Sequence, residues 1–416
     1  AEVTIQGWVP NRRSSGKVSF LILRDGTGTC QVVAERETFG DFYEEIRKLP
    51  LESSLIATGR VVKEARAVGG FELHANSITI VHRSEEFPIG KKEHGPDFLL
   101  THRHLWLRSP RQIAILRIRD TLVRHVREFF YKNGFTLVDT PIFTTTVGED
   151  SSNLFSVDYF DLGKAYLSQT GQLYLEAAMA GLGKVYCFGP TFRAEPSKTR
   201  RHLTEFWMVE GEMAFHDHTM NLEVQENLVA YIVQNTIAER AEELTFLERD
   251  LEPLKKVTTP FYRLSYDEAV EILKKNGSKI EWGIDLGGDD ETILTKLYDK
   301  PVFIECYPKQ AKAFYMKQNP TRPEVVMCAD LLAPEGYGEI IGGSQREEDI
   351  DVLLKSIRDQ GLDPERYGWY LDVRRYGSVP HSGFGMGIER TLAWICGLKH
   401  VRETIPFPRM MYRAYP

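Results

Sequence analysis

The sequence predicts an α+β protein: an OB-fold-like β-barrel at residues 1–83, a linker at 84–108, and a larger domain at 109–416 that mixes strands and helices. Three observations predict this. The first 83 residues hold short apolar runs, VSFLILR at 18–24, CQVVA at 30–34, LIATGRVV at 55–62 and FELHANSITIV at 71–81. Turn signals at Asp25-Gly26-Thr27-Gly28 and Gly69-Gly70 separate them, the pattern of about five strands in a small barrel or another compact β-fold. Polar, proline-bearing residues 84–97 then interrupt the strand pattern. Beyond them the period changes from two to about 3.6. Ile115, Ile118, Leu122, Val126 and Phe129 recur every three or four residues, an amphipathic helix that stops at Asn133-Gly134. Residues 135–140 then run extended into Pro141.

Composition narrows the function classes. A chain of 416 residues, 42% hydrophobic, can build at least two cores. No apolar run nears the ~18 residues a bilayer crossing needs, so no membrane association is expected. Residues 1–5 offer no basic or apolar leader, and the missing initiator Met points to a start upstream or a processed end. The five cysteines are scattered without a CxxC pair, as in a reduced, cytoplasmic protein with buried thiols. With a net charge of −7, any nucleic acid must be met by local basic patches such as Arg12, Arg13, Lys17 and Arg24.

Three stretches carry chemistry. In residues 185–215, two β-rich arms flank a basic loop holding Lys198, Arg200, Arg201 and His202. Strand alternation puts Arg193 and Glu195 on one face of the first arm, and Phe206, Met208, Glu210 and Glu212 on one face of the second. Burying these carboxylates unpaired would cost several kcal/mol. The face suits a site in which Arg193 binds phosphate, Phe206 stacks on a planar ring, and Glu195 and Glu210 accept from ligand N–H groups. A solvated hairpin of alternating polarity fits the same pattern. The second stretch, Gly383-Phe-Gly-Met-Gly-Ile-Glu-Arg390, allows close backbone approach to a ligand but fits a tight strand-to-helix turn equally well. It is neither a Rossmann fingerprint nor a Walker loop. In the third, Asp330 and Glu339 are hard oxygen ligands of the kind that hold Mg²⁺ with substrate phosphates, although two such acids are unremarkable by themselves.

Taken in order, these stretches resemble the class II aminoacyl-tRNA synthetases, in the aspartyl/asparaginyl/lysyl subgroup, over essentially the whole chain. Asn133-Gly134-Phe135 leading to Pro141 resembles motif 1. Phe192-Arg193-Ala194-Glu195 through Arg201-His202-Leu203 to Glu205-Phe206 resembles motif 2. Gly385-x-Gly387-x-Glu389-Arg390 resembles motif 3. The resemblance implies an antiparallel catalytic sheet flanked by helices, a homodimer through the motif 1 helix, and ATP and Mg²⁺ as cofactors. It also implies site roles. Arg193 would bridge the amino-acid carboxylate and the α-phosphate, Glu195 accept from the adenine amino group, and Phe206 stack on adenine. Arg390 would cover the other face of the ring and reach the terminal phosphate. His202 would help hold the phosphates, and Glu339 with Asp330 would hold the metal. Aspartyl-type relatives often carry Ser three residues after that Glu, where this chain has Gly342.

The same comparison bears on the substrate. Aspartyl enzymes carry Gln-Ser-Pro-Gln-Leu-Tyr-Lys, whose Lys pairs with the substrate carboxylate. This chain has Gln169-Thr-Gly-Gln172-Leu-Tyr-Leu175, without the cation. A neutral side chain, that of L-asparagine, is therefore expected, with tRNA(Asn) as the acceptor. Arg346 would donate to its carbonyl oxygen and Glu210 accept from its NH₂, and Glu210 would repel aspartate. Gln169 and Gln172 belong to the matching segment, and Glu149 matches the acid of the loop that closes over the α-amino group. In the N-terminal domain, Phe20 would stack on the central anticodon base and Gln31 bond its edge. Arg13, and more weakly Arg12, Lys17 and Glu72, would complete the patch. Phe20 could also be barrel core, since Leu21 and Leu23 alternate with it. The rival readings are a non-discriminating aspartyl enzyme, a tRNA-independent asparagine-forming ligase, and a regulator with a dead site. Residues 243–301 read as a helical insertion with a turn at Gly287-Gly288-Asp289-Asp290.

Overall fold

The computed structural model describes residues 1–90, 92–149 and 152–416. The chain forms two compact units, Ala1–Leu99 and Leu100–Pro416.

The first unit is a closed five-stranded barrel of β1 (Glu2–Ser15), β2 (Val18–Arg24), β3 (Thr29–Glu35), β4 (Ser54–Lys63) and β5 (Phe71–His82), in the order β1-β2-β3-β5-β4. All pairings are antiparallel except β3 with β5, which closes the barrel in parallel. Alternate residues fill the interior: Leu21 and Leu23 of β2 meet Val32, Ala34, Leu55, Ala57 and Leu73. The strands cross so closely that a Cβ at Gly59 would lie 2.1 Å from the His74 carbonyl oxygen. A side chain there would break the β4–β5 ladder, which already shifts register between Thr58 and Gly59.

The second unit is built on an eight-stranded sheet. In spatial order its strands are Tyr262–Ser265, Val302–Glu305, Cys328–Ala333, Gly338–Gln345, His381–Gly387, Glu205–Ala214, Lys184–Phe192 and Thr136–Leu137. The six central strands are antiparallel, as expected, whereas the two outermost pairings are parallel. The helix Pro110–Lys132 starts where the pattern places it, with Ser109 capping the Gln112 amide and Pro110 in the first turn. It ends at Asn133, with Gly134 at φ 77° and the Phe135 amide returning to the Phe130 carbonyl. Its apolar stripe is buried with the helix His218–Phe246 against one sheet face.

Residues 243–301 depart from the sequence reading in two ways. They supply an edge strand, Tyr262–Ser265, and residues 287–290 are the cap and first turn of the helix Gly288–Thr295. Four residues are too few for a period-two pattern to stand out, and the Gly-Gly-Asp-Asp composition suits a helix start as well as a turn. The extended segment at 135–140 pairs with the sheet through Thr136–Leu137, and the Val138 amide donates to the Tyr186 carbonyl at 2.8 Å. No helix among the described residues is long and apolar enough to cross a membrane.

Candidate active site

The site lies on the sheet face opposite the apolar residues of the strand His381–Gly387. Phe384 and Met386 are buried in the core, so Gly383, Gly385 and Gly387 face the other way. A Cβ on Gly385 would sit 2.4 Å from Met208 Cε and 3.5 Å from Glu210 Cγ. The glycine lets the neighbouring strand, paired as Glu210↔Gly385, lay its side chains across the sheet and form a floor.

A cleft on that floor is lined by Arg193, Glu195, His202, Phe206, Glu339 and Arg390, the six residues the sequence assigns to the nucleotide, together with Arg201 and Met208. The Arg193 guanidinium lies over the Phe206 ring at 5.5 Å. Burial alone would weaken its charge, but the surrounding Glu149, Glu195 and Glu339 carboxylates outweigh that and keep it protonated. Its Nε is buried without a hydrogen-bond partner among the described residues. A buried cation held by field alone keeps its donors available for an anion.

Across the cleft, Arg390 donates to Glu339 Oε2 at 2.8 Å. Burial raises the Glu339 carboxyl, but Arg390, Lys312 and Arg193 together hold it below the usual range. His202 Nε2 stands 3.4 Å from Glu195, and its Nδ1 faces the Ser197 and Thr199 hydroxyls. Burial and Arg390 push the His202 imidazole down, which favours a neutral ring that hydrogen-bonds without adding charge. Glu389 is structural. It is buried, accepts from the Trp207 amide at 2.9 Å, and pairs with Arg119 at 2.7 Å, tying the motif 3 helix Ile388–Cys396 to the helix Pro110–Lys132.

Glu149, Gln169, Gln172, Glu210 and Arg346 gather at the other end. Glu210 and Glu212, which share a strand face, have different tasks. Glu212 is forked by Arg346 through Nε at 3.0 Å and Nη2 at 2.9 Å, and Arg346 Nη1 donates to Ser344 at 2.7 Å. A guanidinium has five N–H donors, so Arg346 retains donors for a further acceptor. Glu210 accepts from the Gly171 amide at 2.7 Å, the Thr170 hydroxyl, and Cys187 Sγ at 3.4 Å. Burial raises its carboxyl despite these bonds.

Gln172 donates to Glu176 at 3.0 Å, and Gln169 to the Asn153 carbonyl at 3.1 Å. Glu149 accepts from Tyr315 at 3.2 Å, and the Tyr315 ring lies 5.2 Å from the Arg346 guanidinium carbon. Tyr315 therefore joins Glu149 to Arg346, a link no motif in the sequence announces. Asp150, next to Glu149 in that loop, lies outside the described residues.

Asp330 and Glu339 converge on Gly342. A Cβ there would meet Glu339 Oε1 at 3.1 Å and Asp330 Oδ1 at 3.6 Å. The other oxygens are engaged, Asp330 Oδ2 by Lys312 and Glu339 Oε2 by Arg390, each at 2.8 Å. The two oxygens facing Gly342 accept no hydrogen bond among the described residues. A pair of hard oxygens beside the cleft that Glu339 lines fits Mg²⁺. Arg201 anchors the basic loop elsewhere, donating to Glu291 at 2.8 Å and to Thr292 at 2.7 Å. The stretch 243–301, to which the sequence assigns no function, thus supplies a clamp for the motif 2 loop. Burial and the nearby Glu339 push the Glu291 carboxyl up to about 7.

On the barrel, Phe20 is half-buried on the outer surface, while Leu21 and Leu23 point inward. Arg13 covers its ring at 4.6 Å. Gln31 donates to Glu72 at 2.7 Å, and Arg13 reaches Gln31 at 3.5 Å. Arg13, Phe20, Gln31 and Glu72 thus form one array with an exposed Lys17 nearby in sequence. Arg12, assigned weakly to this patch, turns to the opposite side of β1 and donates to the carbonyls of Arg47 and Leu49. Adjacent strand residues face opposite ways, so Arg12 and Arg13 cannot serve one surface.

Comparisons with known proteins bear on the family and the fold. Residues 95–411 match the family model described as tRNA synthetases class II (D, K and N), and residues 3–81 match the OB-fold nucleic acid binding domain. The chain is 54% identical to the asparagine–tRNA ligases of Roseiflexus sp. (strain RS-1) and Desulforamulus reducens, covering 100% of this chain and 96% of each relative. Among solved structures it is similar to the Pyrococcus horikoshii asparaginyl-tRNA synthetase complexed with asparaginyl-adenylate, with a TM-score of 0.98 and 48% identity over 100% of this chain and 96% of that one. A putative aspartyl-tRNA synthetase from Leishmania major is similar at TM-score 0.87 and 25% identity, over 100% and 92%.

Proposed function

The chain belongs to the class II tRNA synthetases of the aspartyl, lysyl and asparaginyl group, and we infer that it activates L-asparagine with ATP and transfers the asparaginyl group to tRNA(Asn). In the first half-reaction an asparagine carboxylate oxygen attacks the α-phosphorus and pyrophosphate leaves. In the second, the terminal ribose hydroxyl of the tRNA attacks the asparaginyl carbonyl and AMP leaves.

One observation carries the substrate assignment. Leu175, where aspartyl relatives place their lysine, is buried against Met179, Val185 and Cys187. This chain therefore offers no cation at that position to pair with a substrate carboxylate. Arg346 supplies donors and Glu210 an acceptor, the complement of a carboxamide. Charging of tRNA(Asn) transcripts with asparagine tests the assignment. Product is expected with asparagine, and its absence would refute the reading.

The chemistry requires positioning and charge neutralisation more than proton transfer. We assign Arg193 to the substrate carboxylate and α-phosphate together, which brings two anions into reach of each other. Phe206 and Arg390 would sandwich adenine, with Glu195 accepting from its amino group. His202 and Arg390 would hold the outer phosphates. Glu339 and Asp330 would hold Mg²⁺, which supplies countercharge to the leaving pyrophosphate. Glu149 would close over the α-amino group, while Gln169 and Gln172 would orient the amino acid.

In the same reading residues 1–83 bind the anticodon through Arg13, Phe20 and Gln31, residues 84–108 form the hinge, and residues 109–416 catalyse. The active form is a cytoplasmic homodimer joined through the motif 1 helix. Exposed Tyr131, Leu137, Ile142 and Phe143, grouped at the end of that helix and just after it, support the dimer, because an apolar cluster on the surface marks an interface.

A further inference from the structure

Beneath the amino-acid end lies a second layer of charge that no motif contains. Glu176, on the helix Gln172–Leu182, is fully buried. Its carboxylate accepts from Arg374 Nη2 at 2.6 Å, from the Tyr370 hydroxyl at 2.8 and 2.9 Å, and from Gln172 Nε2 at 3.0 Å. His381 Nε2 stands 3.0 Å away, and the other ring nitrogen lies 2.8 Å from the Val379 carbonyl. Ligand-capable atoms of Glu176, Glu212 and His381 lie within 4.8 Å of one another. That spacing could suit a metal, but the two carboxylates are already bonded by Arg374 and Arg346, so the cluster is an ion-pair lattice instead.

Two buried carboxylates this close both stay ionised only with cations set between them. Arg346 lies in the field of both Glu212 and Glu176. Glu176 also fixes Gln172. By drawing Nε2 downward it leaves Oε1, which makes no hydrogen bond among the described residues, as the end free to face a ligand.

We propose that Glu176 is a positioning residue for asparagine recognition. It holds Gln172 directly and, with Arg374 and His381, keeps the Glu212–Arg346 fork in place. It never touches the substrate, but it sets both the orientation and the charge balance of groups that do. The proposal rests on the reading that the bound side chain is a carboxamide.

The test is steady-state ATP–pyrophosphate exchange by the full-length chain, wild type against Glu176→Gln, with asparagine, aspartate and ATP varied in turn. The isosteric variant keeps the shape and removes the charge. The KM for asparagine is expected to rise about tenfold or more, with the KM for ATP within about twofold of wild type. The ratio of kcat/KM for asparagine over aspartate is expected to fall, because one negative charge has left the pocket's support. Unchanged KM and ratio would overturn the proposal. So would a uniform loss of kcat with all substrates, which is what a merely structural residue would cause. If Glu176→Gln does not fold, Tyr370→Phe, which removes one donor from the same carboxylate, decides the matter. A smaller rise in asparagine KM alone supports the role, and none contradicts it. A wild-type enzyme that fails to exchange with asparagine would instead refute the functional reading.

Discussion

Arg193 has the most demanding position in the molecule. Its guanidinium is held among three carboxylates yet pairs directly with none among the described residues, so its charge is available to a ligand. Arg193→Ala should lower the rate of adenylate formation by about 10³-fold or more, roughly 4 kcal/mol of transition-state stabilisation. Pyrophosphate exchange measures it, and near-normal exchange would remove Arg193 from the reaction. Phe20 makes a complementary test on the other unit. It lies outside the barrel interior, so Phe20→Ala should leave exchange and folding intact. Aminoacylation kcat/KM should fall about 10- to 100-fold, the contribution of one base stacked on an aromatic ring. Loss of exchange as well would mean the ring has a structural role.

At the scale of elements, a histidine cap makes the fold sensitive to acid. His400 caps the short turn Val401–Glu403 by accepting from the Arg402 amide at 3.1 Å, which needs an unprotonated ring nitrogen. Burial, with Arg402 and Arg200 nearby, pushes its imidazole down to about 4. A depressed histidine stabilises the fold above its unfolded value near 6.5, and that contribution is lost as pH falls through about 4. The loss is about 1–2 kcal/mol once solvent screening of the half-exposed ring is allowed for. His400→Asn should flatten the decline in melting temperature between pH 6.5 and 4, and an identical decline would exclude the cap as its source.

The elements also separate what was legible in the sequence from what was not. The barrel strands and the helix Pro110–Lys132 could be read because periodicity and turn residues are local signals. Five of the six cleft residues could be read because motifs 2 and 3 hold them within short stretches, and Glu339 could be read from the separate acidic stretch it shares with Asp330. Glu176, Arg374 and His381 could not be. Each sits in an ordinary-looking element, and their bonds join residues some 200 positions apart. Lys312 and Glu291 escaped for the same reason, since each gains meaning only when the sheet brings it to Asp330 or Arg201. The edge strand Tyr262–Ser265 was hidden by its brevity.

Over the whole molecule, the sheet lets the cleft we assign to the nucleotide and the pocket we assign to the carboxamide share one floor. That floor depends on a glycine-bearing strand, a core behind it, and a buried lattice of ion pairs beneath its amino-acid end. The account stands or falls on what the pocket accepts. The most direct measurement is ATP–pyrophosphate exchange with saturating ATP, run separately with asparagine and with aspartate. The account predicts exchange with asparagine and a kcat/KM for aspartate lower by at least about 10²-fold. Comparable rates with the two amino acids would contradict it.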